Sequence, residues 1–197
     1  MPKPQPKIIL FASGSGTNAE QIIKQVQSSR VAQVTAIYCN MSGAGVIQRA
    51  EGLQVPVRLF ENNQLNDPDL VGQWLKEDAP DLIVLAGFLR KIPEFIVSAF
   101  AGKIVNIHPA LLPKFGGKGM YGMHVHRAVK ESGAIETGIT IHYVNAAYDE
   151  GAIIFQAKTP VTESDTPQEI ARKVQILEHE HYPRVVVELL KERNHGQ

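Results

Sequence analysis

Four short apolar runs, Lys7–Ala12 (KIILFA), Val34–Tyr38, Val55–Phe60 and Asp81–Ala86 (DLIVLA), punctuate the first half of the chain. Each reads as a strand, and the last, which shows no alternation of polar with apolar residues, reads as covered on both faces, the habit of a parallel sheet. Between the first two, Ala19, Ile22, Ile23 and Val26 make one face of a helix over Thr17–Ser29. A second helix is expected over Val46–Leu53. A third is expected over Pro68–Glu77, with Asp67 as its cap and Pro68 at its first position. Parallel neighbours need a long crossover between them, and the βαβαβαβ order supplies one each time. The expected fold class is α/β, an open, mostly parallel twisted sheet with helices on both faces, Rossmann-like in its winding.

The second half changes pattern. Thr137–Val144 and Ala152–Val161 read as strands separated only by NAAYDEG, which predicts an antiparallel C-terminal pair appended to the sheet. Pro167–Lys191 reads as a closing helix, kinked or split at Pro183. With 197 residues, 44% of them hydrophobic, the chain suits one domain over 1–197, residues 1–6 forming a short N-terminal tail. Twenty basic residues balance 20 acidic ones, so no global field draws the chain to nucleic acid or to an anionic membrane. Cys39 is the single cysteine and has no internal disulfide partner, which fits a reducing compartment. With no apolar leader and no run long enough to span a bilayer, the expected location is cytoplasmic. Homo-oligomerisation stays open.

Three stretches could carry chemistry. In Ala12–Asn18 (ASGSGTN), Gly14 and Gly16 allow close backbone approach, and the helix start behind them offers unpaired N–H groups to an anion such as a phosphate. An ordinary strand-to-helix turn would use the same residues. The dinucleotide fingerprint fails, because Ala19 replaces its third glycine, and the Walker loop fails for want of a lysine. In Lys103–Phe115 (KIVNIHPALLPKF), a strand over Lys103–Asn106 delivers Asn106 and His108 to one face at its carboxyl end. An amide N–H and an imidazolium facing one space would make an oxyanion site, though a buried structural pair is equally open. In YDEGAIIFQ, Asp149 or Glu150 could raise the pKa of His108 and hold its proton, and a solvated acidic turn is the plainer alternative. HVH at 124–126 and HEH at 179–181 have ligand-like spacing without a third ligand nearby, so no metal is expected.

Together SGSGTN, LAGFLRKI, NIHPALLPKF and YDEGAIIFQ, in this order and spacing, closely resemble the folate-dependent formyltransferase family. NIHPALLP belongs to the wider family, and SGSGTN points to its phosphoribosylglycinamide formyltransferase branch. The resemblance implies transfer of a formyl group from the co-substrate 10-formyltetrahydrofolate to the amine of glycinamide ribonucleotide in de novo purine biosynthesis. It implies that Asn106 donates to the oxyanion of the adduct, that His108 supplies charge and a proton, and that Asp149 maintains the protonated imidazole. Gly14, Ser15, Gly16, Thr17, Asn18 and Glu178 would bind the ribonucleotide. Phe88, Leu89, Arg90, Ile92, Asn106, Asn145 and Asp149 would bind the folate, with backbone groups of Leu89 and Ile92 reading the pterin. His142 matches a family histidine near the site. The Leu112–Pro113 bond is expected to be cis.

Two departures follow. Some relatives carry an arginine for the folate's glutamate tail where Glu61–Pro80 has none, and GGKGMYG after Phe115 is a glycine-rich extension offering Lys118 to an anion. Formyltetrahydrofolate hydrolysis, or a noncatalytic phosphate- or nucleotide-binding module, is the alternative function.

Overall fold

The computed structural model describes residues 5–195, so most of the expected N-terminal tail lies outside the described residues. Among these residues, seven strands form one sheet: β1 (Lys7–Ala12), β2 (Gln33–Cys39), β3 (Val57–Leu59), β4 (Leu82–Leu85), β5 (Ile104–His108), β6 (Glu136–Tyr143) and β7 (Ile153–Pro160). Their order is β3-β2-β1-β4-β5-β6-β7. Strands β1 to β5 pair in parallel, whereas β6 runs antiparallel to β5 and β7 antiparallel to β6. The winding goes outward from β1 to β3 and then resumes on the other side of β1 at β4. The carboxyl ends of β1 and β4 therefore flank the switch point at which open α/β sheets leave a crevice.

The unbroken apolar runs make sense once both faces are seen to be covered. Ile8, Leu10, Ile37, Leu82, Val84, Val105 and Ile107 face one core, and Ile9, Phe11, Tyr38, Ile83, Leu85 and Ile104 face the other. Helices α1 (Thr17–Ser29), α2 (Val46–Gly52), α5 (Met123–Glu131) and α6 (Pro167–His195) contribute to the first core. Helices α3 (Val71–Asp78) and α4 (Glu94–Ala99) contribute to the second, which ends at the first residue of β5. Each such side chain, once fully buried, contributes about 1.5–3 kcal/mol. The second core ends at Ile104, and beyond it on that face Asn106 and His108 line a cleft.

Several boundaries differ from the sequence reading. Helix α3 starts at Val71 because the Asp67 carboxylate accepts a hydrogen bond from the N–H of Asp69 at 2.9 Å, closing a local turn rather than capping a helix. Strand β5 runs on to His108, so both polar residues lie within it. Helices α4 and α5 add two elements that hydrophobic periodicity did not reveal. Helix α6 is continuous through Pro183 and does not split. Its anchor is Tyr182, fully buried, whose hydroxyl lies 3.1 Å from the carbonyl oxygen of Leu85 and 3.3 Å from that of Val105. This ties α6 to β4 and β5 one turn after Glu178. The Leu112–Pro113 bond is cis. No helix among the described residues is long and apolar enough to cross a membrane.

Candidate active site

Strand β5 positions the central pair. Asn106 and His108 lie two residues apart on one face, and antiparallel pairing sets His142 of β6 opposite Asn106 and Thr140 opposite His108. The turn after β5 is pinned from β6 and β7. The Thr140 hydroxyl donates to the Ala110 carbonyl at 2.7 Å and accepts from the Leu112 N–H at 2.9 Å. Gln156 Nε2 donates to both Thr140 Oγ1 and the Leu112 carbonyl. That bracing sends the chain back so that the carbonyl of Phe115 meets His108 Nε2 at 2.7 Å. A carbonyl only accepts, so Nε2 carries the proton.

The other nitrogen, His108 Nδ1, lies 3.6 Å from Asp149 Oδ2, and Asp149 Oδ1 lies 3.7 Å from His142 Nε2. Asp149 thus sits between two histidines, and its Oδ2 also accepts from the Gly117 N–H at 2.9 Å. His142 Nδ1 donates to the carbonyl of Tyr143 at 2.9 Å, which leaves Nε2 as the acceptor for Asn106 Nδ2 at 3.2 Å. The Asn106 amide is therefore oriented: one of its two N–H bonds goes to His142 and the second is free for the cleft.

Burial sets the direction in which the histidines of the site shift. His108 and His142 are almost wholly buried, and desolvation pushes both imidazoles below their ordinary pKa. Asp149 and the Phe115 carbonyl oppose this at His108 without reversing it, and His142 adds a smaller push in the same direction as burial. The net elevation of His108 that the sequence predicts is therefore corrected, because the cost of removing an imidazolium from water exceeds the attraction of one carboxylate at 3.6 Å. Asp149 nonetheless makes protonation easier than burial alone would allow.

These groups open on a cleft of about 1180 Å³, beyond the roughly 300–1,000 Å³ of a typical small-molecule site and so roomy enough for two ligands side by side. Phe88, Leu89, Arg90, Ile92, Asn106, His108, Asn145, Asp149 and Glu178 all line it, as does Lys118. Of Gly14–Asn18 only Asn18 does; Gly14, Ser15, Gly16 and Thr17 stand off the lining. Asn18 Nδ2 donates to Glu178 Oε2 at 2.7 Å, while burial pushes the Glu178 carboxyl above its ordinary range. On the opposite wall the Leu89 N–H donates to Ser13 Oγ at 3.0 Å, so that N–H is already committed and only the carbonyl of Leu89 is left for a ligand. Across the mouth, the Lys91 ammonium lies 5.0 Å from the centre of the Tyr148 ring, which links loop 88–92 to loop 145–149. Arg90 donates to Asn62 Oδ1 at 3.0 Å, within the stretch that lacks an arginine of its own.

The sequence of residues 6–186 matches the formyl transferase family. The chain belongs to that family. Among curated relatives, the chloroplastic phosphoribosylglycinamide formyltransferase of Arabidopsis thaliana is 40% identical over 95% of the chain. The chain spans just under two thirds, 66%, of the length of that plant protein. The phosphoribosylglycinamide formyltransferase of Bacillus subtilis is 36% identical, with 97% of this chain and 98% of that protein covered. Among solved structures, glycinamide ribonucleotide transformylase 1 of Symbiobacterium toebii superposes with a TM-score of 0.87 at 30% identity, covering 96% of this chain and 89% of that one.

Sequence reasoning missed several residues that bear on the site. Ser13, Asn40 and Asn62 form a hydrogen-bonded chain behind the loop of Leu89, with Ser13 Oγ and Asn40 Nδ2 donating at 2.7 Å each. His126 lines the cleft with a buried, unpartnered Nδ1, and its burial pushes its pKa down. In sequence, His126 stood out only as half of the HVH pair at 124–126, whose ligand-like spacing gave no sign of this. Among the described residues no cluster of three or more metal-type ligands occurs, and neither histidine pair gains a third.

Proposed function

We propose that this chain transfers the formyl group of 10-formyltetrahydrofolate to the amine of glycinamide ribonucleotide, giving formylglycinamide ribonucleotide and tetrahydrofolate. The observation that carries this reading is the juxtaposition of Asn106, His108 and Asp149 at the carboxyl end of β5, in a member of the formyl transferase family.

The amine nitrogen attacks the formyl carbon, a C–N bond forms, and the carbonyl electrons move onto oxygen. The free N–H of Asn106 donates to that oxyanion, its amide held the right way round by His142. The new negative charge raises the proton affinity of the buried His108 next to it. His108 takes up the proton shed by the amine, and the imidazolium is stabilised by Asp149. The adduct collapses as the bond from carbon to N10 of the folate breaks, and His108 returns the proton to that nitrogen.

Asn18 and Glu178 contact the ribonucleotide, and the N–H groups of Gly14–Thr17 bind its phosphate outside the main cleft. The pterin lies between loops 88–92 and 145–149, against Phe88 and Ile92, and the carbonyl of Leu89 takes part in reading it. Arg90 meets the glutamate tail in place of the absent arginine. The chain acts in the cytoplasm, as one formyltransferase domain.

The purified protein is mixed with 10-formyl-5,8-dideazafolate, with and without glycinamide ribonucleotide, and deformylated folate and formylated product are followed together. Ribonucleotide-dependent turnover is expected. Turnover without ribonucleotide would assign hydrolysis instead, and no turnover in either mixture would leave a binding module.

A further inference from the structure

We propose that Arg49, on α2, is a positioning residue for the phosphate-binding loop, a role that rests on the ribonucleotide reading above. Helix α2 holds two successive carbonyls of that loop. The N–H of Val46 donates to the Gly14 oxygen at 3.2 Å, and Arg49 Nε donates to the Ser15 oxygen at 2.9 Å. A trans peptide is planar, with its C=O and N–H pointing in opposite directions. Turning the Gly14 and Ser15 carbonyls toward α2 therefore turns the N–H groups of Ser15 and Gly16 away from it, to the open side of the loop.

The loop behaves as that geometry requires. Among the described residues, the N–H groups of Gly14, Ser15, Gly16 and Thr17 make no hydrogen bond to the chain, although the N–H of Ser13 before them and that of Glu20 after them do. Gly16 sits at φ +76°, and a Cβ there would stand 2.5 Å from the Cβ of Val46, so the helix and loop touch without room for a side chain. Next to the free donors, Asn18 is nine-tenths buried, lines the cleft and leaves Oδ1 without a partner. Free N–H donors and an unsatisfied buried acceptor at one helix start fit a phosphorylated, hydroxylated ligand.

Arg49 is not itself the phosphate ligand. Its terminal guanidinium nitrogen pairs with Glu20, which also holds Lys24 at 2.6 Å, so its charge is already shared. What it gives the loop is the direction of one peptide unit, and that unit presents the N–H of Gly16.

The test is Arg49→Gln in the full chain. Expected are a KM for glycinamide ribonucleotide about tenfold higher, a kcat and a folate KM within twofold of wild type, and an unchanged melting temperature. Inorganic phosphate, titrated by its thermal shift without substrates, should half-saturate at a concentration about tenfold higher. The wild-type to variant ratio should be the same at low and at high salt, because orientation is not screened while a charge effect is. An unchanged ribonucleotide KM and phosphate midpoint, or a ratio that collapses toward one at high salt, overturns the proposal. Because the phosphate titration needs no turnover, a protein that fails to formylate the ribonucleotide still reports on Arg49.

Discussion

Asp149→Asn isolates the charge that faces His108. The amide keeps an oxygen for the Gly117 N–H, so loop geometry survives while the negative charge 3.6 Å from His108 Nδ1 is lost. At an effective dielectric of about 20, two unit charges at that distance interact by about 4–5 kcal/mol. The carboxylate is 14% exposed and shared with His142, which reduces the usable part to about 2–3 kcal/mol. If His108 becomes an imidazolium only as the adduct forms, that energy is felt in the transition state, and kcat should fall on the order of 10²-fold with both KM values little changed. The assay is steady-state formyl transfer with 10-formyl-5,8-dideazafolate, varying each substrate in turn across pH. Asp149 opposes the downward push of burial on His108, so in the variant the limb on which activity falls with falling pH, as His108 is protonated before the reaction, should move to lower pH. A kcat within threefold of wild type, or a defect confined to KM, would refute the reasoning.

His142→Phe removes the acceptor that orients the Asn106 amide, and kcat should fall about tenfold with little change in folate KM, read in the same assay. Tyr182→Phe leaves the carbonyls of Leu85 and Val105 without their buried donor, and the urea midpoint should drop by the equivalent of about 1–3 kcal/mol. Stability should also decline on acidification below about pH 6.5, the ordinary histidine value. Burial depresses His108, His126 and His142, so the unfolded chain binds protons there that the folded chain refuses. Each then contributes a slope of up to about 1.4 kcal/mol per pH unit, lost as pH falls from 6.5 toward its depressed value. Urea unfolding at pH 7.5 and 5.5 measures this, and His126→Asn should flatten the dependence.

The centre of the sheet was legible because a run such as Leu82–Leu85, apolar and buried at every position, has one common explanation. Asn106 and His108 were legible as a pair because period two is local. What brings Asp149 to them is not local: it depends on the register between β5 and β6 and on the loop that follows Tyr143. The residues alone offered Asp149 or Glu150 as that partner and the resemblance chose Asp149, but neither supplied the direction of the His108 shift, which depends on how much protein surrounds the ring. Helix α5 was hidden by the glycines before it and by an apolar face reduced to Val125 and Val129. Arg49 was hidden for another reason, since its partner is a backbone oxygen and a sequence shows none of those.

The rigid and the adaptable parts of the site are separated by element. Asn106, His108 and His142 stand on strands, and each has a fixed partner. Asp149 stands on a loop and adopts a left-handed backbone with φ 54°, which costs a residue with a Cβ about 1–2 kcal/mol. Its hydrogen bond from the Gly117 N–H, charge-assisted and worth about 1.5–3 kcal/mol, offsets that cost. The carboxylate therefore holds its place only while loop 116–122 is packed against it. Gly116 makes the approach tight, since a Cβ there would lie 3.4 Å from that of Asp149 and 2.5 Å from the side chain of Leu112. The glycine-rich extension, which the sequence presents as a source of Lys118 for an anion, is thus also part of what keeps the acid facing the histidine.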